Sequence, residues 1–173
     1  DGTFVLEPMQ VGSTLSETHD PTVIFASGLY NILVSDDVDG TPDLIFFKVS
    51  ALGEVSGLVR TAAESDEEDY LRPAMVEKAG AFVIGWDTGA TILSRGLNPN
   101  GNPIGGMVVV EDDPGTSSKA GLATSGDAEV VVWEEERDGN PEIYAAVLVE
   151  GARDVPDGRL TSDVQDSRSP GVN

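Results

Sequence analysis

The chain has no cysteine, which removes disulfides, thiolate nucleophiles and cysteine-ligated zinc or iron–sulfur sites. It has one histidine, His19, and a lone imidazole with no second His or Cys gives a transition metal no ligand set. A Ser-His-Asp triad would have to run through that residue, and no Gly-x-Ser-x-Gly elbow is present. Basic side chains are scarce: 10 Lys and Arg stand against 31 Asp and Glu, a formal net charge of −21. Such a field disfavours nucleic acid and anionic membranes and favours cations, basic partners and a solvated surface. No apolar run approaches the ~20 residues of a membrane span, so no membrane insertion is expected. None of the six Asn residues opens a glycosylation sequon. Helical periodicity is weak everywhere, and the best stretch, Glu64 to Tyr70, lacks an apolar stripe.

What is there is a repeat. Val130 to Leu148 reads as a buried strand, an acidic turn holding Asp138-Gly139-Asn140-Pro141, and a second strand from Glu142-Ile143-Tyr144, together a β-hairpin. Ile32 to Val49 and Phe82 to Leu97 are weaker copies, with openings at Gly28, Gly80 and Gly126, each followed by an apolar run that ends on an acid. Aligning these openings stacks Ser35, Trp86 and Trp133, 51 and 47 residues apart. A second column precedes each opening: Pro21, Pro73, Ala120 and Pro170, spaced 52, 47 and 50 residues. A period near 50 suits propeller blades and not helical solenoids. Residues 1–173 are therefore read as one repeat domain of an all-β class, built as β-propeller blades of four antiparallel strands, with a β-sandwich as the alternative. The first residue is Asp1 and both termini fall inside a repeat, so we expect the chain to be part of a longer propeller.

The third copy carries the clearest pattern: Trp133, Arg137-Asp138-Gly139-Asn140-Pro141-Glu142-Ile143-Tyr144, Gly151, Leu160-Thr161 and Pro170-Gly171-Val172. It resembles the TolB-like, WD40-like repeats of exported bacterial β-propellers. That resemblance implies an extracellular or periplasmic protein; it implies little about activity, because such propellers serve as binding platforms, assembly subunits and enzyme scaffolds alike.

The hairpin turns hold the most distinctive chemistry. Glu134, Glu136, Asp138 and Glu142 around Gly139 repeat the spacing of Ser35, Asp37, Asp39 and Asp43 around Gly40. Alternate carboxylates about a glycine can wrap calcium, which takes six to eight oxygen ligands, and these loops resemble the calcium loops of FG-GAP propellers. The competing reading is that Asp-Gly and Asn-Pro are tight-turn residues only. Trp86 and Trp133 could stack on sugars, but their equivalent places at strand ends favour packing between blades. With 31 acids in the chain, a carboxylate pair at glycosidase spacing carries no information.

The expectation from sequence is thus a non-enzymatic exported module that binds a protein partner or another copy of itself through acidic loops such as Glu64 to Asp69 and Glu111 to Gly115. Two alternatives stand beside it: a propeller hydrolase or lyase acting on polysaccharide, with acids at the ring centre, and a calcium-stabilised adhesion module.

Overall fold

The structure, a computed structural model, describes residues 17–37, 40–56, 60–111 and 116–172. Within them the chain is all strand and turn, with no helix. β1 (Glu17–Ala26), β2 (Leu29–Asp37), β3 (Pro42–Val49) and β4 (Arg60–Ala63) form one antiparallel sheet in sequence order. β5 (Leu71–Lys78), β6 (Ala81–Asp87), β7 (Ile92–Leu97) and β8 (Pro103–Val109) form the next in the same order. The third comprises β9 (Ser118–Ser125), β10 (Ala128–Glu135), β11 (Glu142–Val149) and an outer edge made in two pieces, β12 (Ala152–Arg153) and β13 (Gly158–Arg159).

The turns that open each copy explain the hairpins. Ser27-Gly28 and Ala79-Gly80 both take positive φ at their two central residues, the type I′ conformation whose twist matches that of paired strands. β6 then reads as an unbroken apolar run, because its sheet is buried on both faces. Phe82, Ile84 and Trp86 pack toward the first sheet with Leu33, Leu44 and Phe46. Val83 turns the other way, into a cluster with Leu122, Val131, Trp133 and Leu148 of the third sheet.

The first strands lie side by side, β1 against β5 and β5 against β9. Pro170 and Val172 run beside Gly121 of β9 in the same manner, each within 4 Å of an ideal Cβ there. Innermost strands gathered about one axis, with fourth strands at the rim and neighbouring sheets sharing apolar faces, are the blade arrangement of a propeller. A sandwich would oppose two sheets over one core. Here three sheets succeed one another with one core between the first and second and another between the second and third, which sets that alternative aside. Where blades meet, contact is close: a Cβ on Gly101, in the β7–β8 turn, would fall 2.0 Å from Cδ1 of Phe46 on β3.

Candidate axial site

Each innermost strand begins with an irregularity. The register of β1 on β2 shifts between His19 and Thr22, that of β5 on β6 between Leu71 and Ala74, and that of β9 on β10 opposite Val132 to Glu134. At each shift one non-glycine residue takes left-handed φ: Asp20 at 50°, Arg72 at 46° and Lys119 at 57°, with Ser169 at 58° as their counterpart in the fourth copy. Such conformations cost about 1–3 kcal/mol each and gather at ligand sites, as bulges do. All four are the residue before the Pro21, Pro73, Ala120 and Pro170 column, and together the eight residues line one cleft of about 360 Å³ at the ring axis.

In the second and third blades an acid near the end of the second strand holds this arrangement. Asp87, fully buried, accepts from Arg72 Nε at 2.9 Å and from Arg72 Nη2 in its own blade, and from the Lys119 backbone N–H of the next blade at 3.0 Å. Glu134 repeats this one blade on, accepting from Lys119 Nζ at 2.9 Å and from the Ser169 backbone N–H. Each buried carboxylate thereby satisfies a cation beside it and an N–H of the following bulge, which burial of a charge requires. The Asp87 carboxylate, first through its hydrogen bonds, holds the Arg72 guanidinium above its ordinary pKa. In the first blade the bulge residue is itself acidic: Asp20 Oδ2 accepts from the Arg72 backbone N–H at 3.3 Å and lies 3.1 Å from His19 Nδ1. Asp36, near the end of β2, accepts from Thr18 Oγ1 at 2.5 Å.

The carboxylates singled out as calcium ligands are dispersed or committed. Asp37 Oδ1 accepts from Gly40 N–H at 2.7 Å and Asp43 Oδ1 from Ser65 N–H at 3.0 Å, while Asp39 lies outside the described residues. Glu134 belongs to the axial latch, and Glu136 is exposed. Asp138 accepts from Tyr144 Oη and from Arg159 Nη1 at 2.8 Å. Glu142, fully buried, accepts from Thr161 Oγ1 at 2.5 Å, Arg159 Nη2 at 2.5 Å and Asn140 Nδ2 at 3.1 Å. The Thr161 hydroxyl, ahead of Asn140 and Arg159, holds the Glu142 carboxyl down at about 2. Among the described residues no group of three or more His, Cys, Asp or Glu is placed to hold a metal ion. Asp138 and Glu142 fasten the rim segment 158–167 to the hairpin, with Thr161 Oγ1 also taking the Ile143 backbone N–H at 2.9 Å.

Both tryptophans are fully buried between blades, as their spacing predicted. The bulge residues were the signal sequence reasoning passed over. Their side-chain types vary as Asp, Arg, Lys and Ser, so only their place before the proline column marks them.

No family model matches the chain, and no curated protein matches it. Solved structures do. An α-L-arabinofuranosidase from Podospora anserina, in complex with cellotriose, is similar with a TM-score of 0.60 at 13% identity, over 90% of this chain and 54% of that one. The catalytic domain of a GH62 α-L-arabinofuranosidase from Coprinopsis cinerea gives 0.56 at 12% identity, over 91% and 55%. A bifunctional GH43-CE protein from Bacteroides eggerthii gives 0.54 at 11%, over 84% and 19%. The chain spans about half the length of the first two. At such identity the likeness concerns the fold, and the fold is an all-β propeller of antiparallel blades.

Proposed function

We propose that this chain forms part of a carbohydrate-directed β-propeller of an exported protein, with the axial cleft as its saccharide site. The observation that carries the reading is the convergence on one cleft of Asp20, Arg72 and Lys119, bulge residues of three successive repeats, with Ser169, which shares their left-handed backbone in the fourth. Mixed carboxylate, cationic and hydroxyl groups on a rigid ring suit the many hydroxyls of a sugar, each needing a donor or an acceptor. The neighbouring folds named as arabinofuranosidases, one holding cellotriose, support carbohydrate as the ligand class. Hydrolysis would call for two carboxylates across the scissile bond. Asp20 is the bulge carboxylate that faces solvent, whereas Asp87 and Glu134 serve here to fix Arg72, Lys119 and the next bulge.

The test is a titration of the chain with arabinoxylan and cello-oligosaccharides by calorimetry, with release of arabinose followed in parallel. Binding that weakens at least tenfold in Asp20→Asn and Ser169→Ala, with unchanged melting, is the expected result. Failure of the wild-type chain to bind either glycan overturns the reading. The saturation of Asp87 and Glu134 by protein donors favours a second reading, in which the ring only binds and assembles; it predicts glycan or partner binding without turnover.

A further inference from the structure

The outer edges of the three blades are built differently. Among the described residues β4 has four, Arg60 included, while β12 and β13 have two each, with Arg153 and Arg159. Short, charged edge strands resist pairing with other chains. β8 is seven residues long and ends its sheet, and from Pro103 to Val110 it carries no charge. Ile104, Met107 and Val109 are 51%, 47% and 48% exposed. A bulge opposite Arg95 of β7 leaves Gly105, Gly106 and Met107 out of the ladder, and regular pairing resumes at Val108 and Val109, with Val110 N–H donating to Ile92 C=O at 3.0 Å.

The two sides of β8 differ. Met107 belongs to the side facing the first blade, where its sulfur accepts from Tyr70 Oη at 3.5 Å. Val108 packs on the side facing the third blade. Beside the strand lies a pocket of about 320 Å³, lined by Arg95, Gly105 and Met107 together with Leu148, Glu129 and Glu150. Glu129 is bound by Lys78 Nζ at 2.9 Å, and Glu150 sits exposed in the β11–β12 turn.

We propose that the β8 edge is a strand-addition site for an extended segment of another protein, one with alternating apolar and basic residues. Main-chain pairing supplies affinity in this mode and alternate side chains supply specificity. Apolar residues of the added strand cover Met107 and Val109, and a basic residue between them reaches the exposed Glu150. A chain of net charge −21 attracts a basic strand and repels a second copy of itself.

The probe is a fluorescent, end-blocked hexapeptide of alternating Lys and Val, titrated into the full chain by anisotropy. It is compared with a Glu-Val analogue and with a Lys-Val peptide N-methylated along its pairing edge. The Lys-Val peptide is expected to bind; the other two are not. Val109→Lys should weaken binding at least tenfold and Glu150→Gln at least threefold, the latter in an exposed turn where folding of β8 is not at issue. The axial Asp20→Asn variant should bind the peptide normally. Equal binding of the N-methylated peptide, or of Val109→Lys, would reduce the effect to charge attraction and overturn the proposal. So would absence of binding, or a dimer in light scattering that Val109→Lys abolishes, which would make a second copy the occupant.

Discussion

Trp86 and Trp133 offer an internal control that few chains contain. They occupy equivalent places, one residue before the latching acid, and both are 0% exposed. Each lies against a tyrosine ring, Trp86 5.3 Å from Tyr70 and Trp133 6.2 Å from Tyr144. They differ at the indole nitrogen: Trp133 Nε1 donates to Glu135 Oε2 at 2.9 Å, and Trp86 Nε1 is buried with no partner. Replacing either by Phe removes similar apolar volume, worth about 2 kcal/mol in transfer and cavity terms. At Trp133 the substitution also deletes a hydrogen bond to a charged group, about 1.5–3 kcal/mol. At Trp86 it deletes an unsatisfied donor, recovering about 1–3 kcal/mol. Trp133→Phe should therefore destabilise by about 3 kcal/mol or more beyond Trp86→Phe, a large share of the roughly 5–15 kcal/mol that holds a domain. Urea unfolding followed by far-UV circular dichroism measures the difference, with equal m-values as the check that both variants unfold alike. The chain has only two Trp, so fluorescence of the survivor reports on its own blade. Equal costs within about 0.5 kcal/mol, or a worse Trp86→Phe, would refute the reasoning that the partner of the indole nitrogen separates the two sites.

Two further perturbations probe the contacts between blades. Glu111 is buried, accepting from Ile92 N–H at 2.8 Å and from Ser117 Oγ, and burial pushes its carboxyl up from 4.5 to about 7. The folded state thus favours the protonated form: its contribution is full below pH 4.5, declines as pH rises through about 7, and amounts to about 3 kcal/mol across that window. Glu111→Gln should remove this slope from a plot of unfolding free energy against pH, and an unchanged slope counts against the burial argument. Gly101→Ala places a methyl 2.0 Å from the Phe46 ring at φ +81°, where overpacking and left-handed strain together cost about 2–5 kcal/mol. Thermal unfolding should show a loss of many degrees, partly restored by Phe46→Leu, and a shift equivalent to less than about 1 kcal/mol contradicts the packing.

The blade architecture was legible because it is written in quantities a sequence displays. Glycines at 28, 80 and 126 open hairpins whose turns need positive φ, and the run Phe82 to Trp86 is apolar throughout because both faces of its sheet are covered. Two columns of period near 50 survive even where side chains change, as Ala120 does for proline. The rim edge of the third blade was less legible. A main-chain bond runs from Leu160 N–H to Ile143 C=O at 2.7 Å, and beyond it Thr161 meets the Ile143 N–H and Glu142 through its hydroxyl in place of a main-chain bond.

The site was hidden for a different physical reason. A carboxylate's role depends on what donates to it, and donors come from far along the chain: Asp87 meets Lys119, 32 residues on, and Glu134 meets Ser169, 35 residues on. Spacing within one hairpin cannot register such pairings, so Glu134 and Glu142 invite a calcium reading from local pattern, while the fold gives them cations and hydroxyls of the protein's own. The bulge residues show the converse. Their identities differ at every repeat, so no motif joins them; what they share is a backbone conformation at the start of each innermost strand. Lys119 and Ser169 take it where their N–H groups meet Asp87 and Glu134, and Arg72 takes it where its N–H meets Asp20. Variable side chains on a shared, strained backbone set the axis apart from the acidic turns around it, and strain of that kind gathers at functional sites.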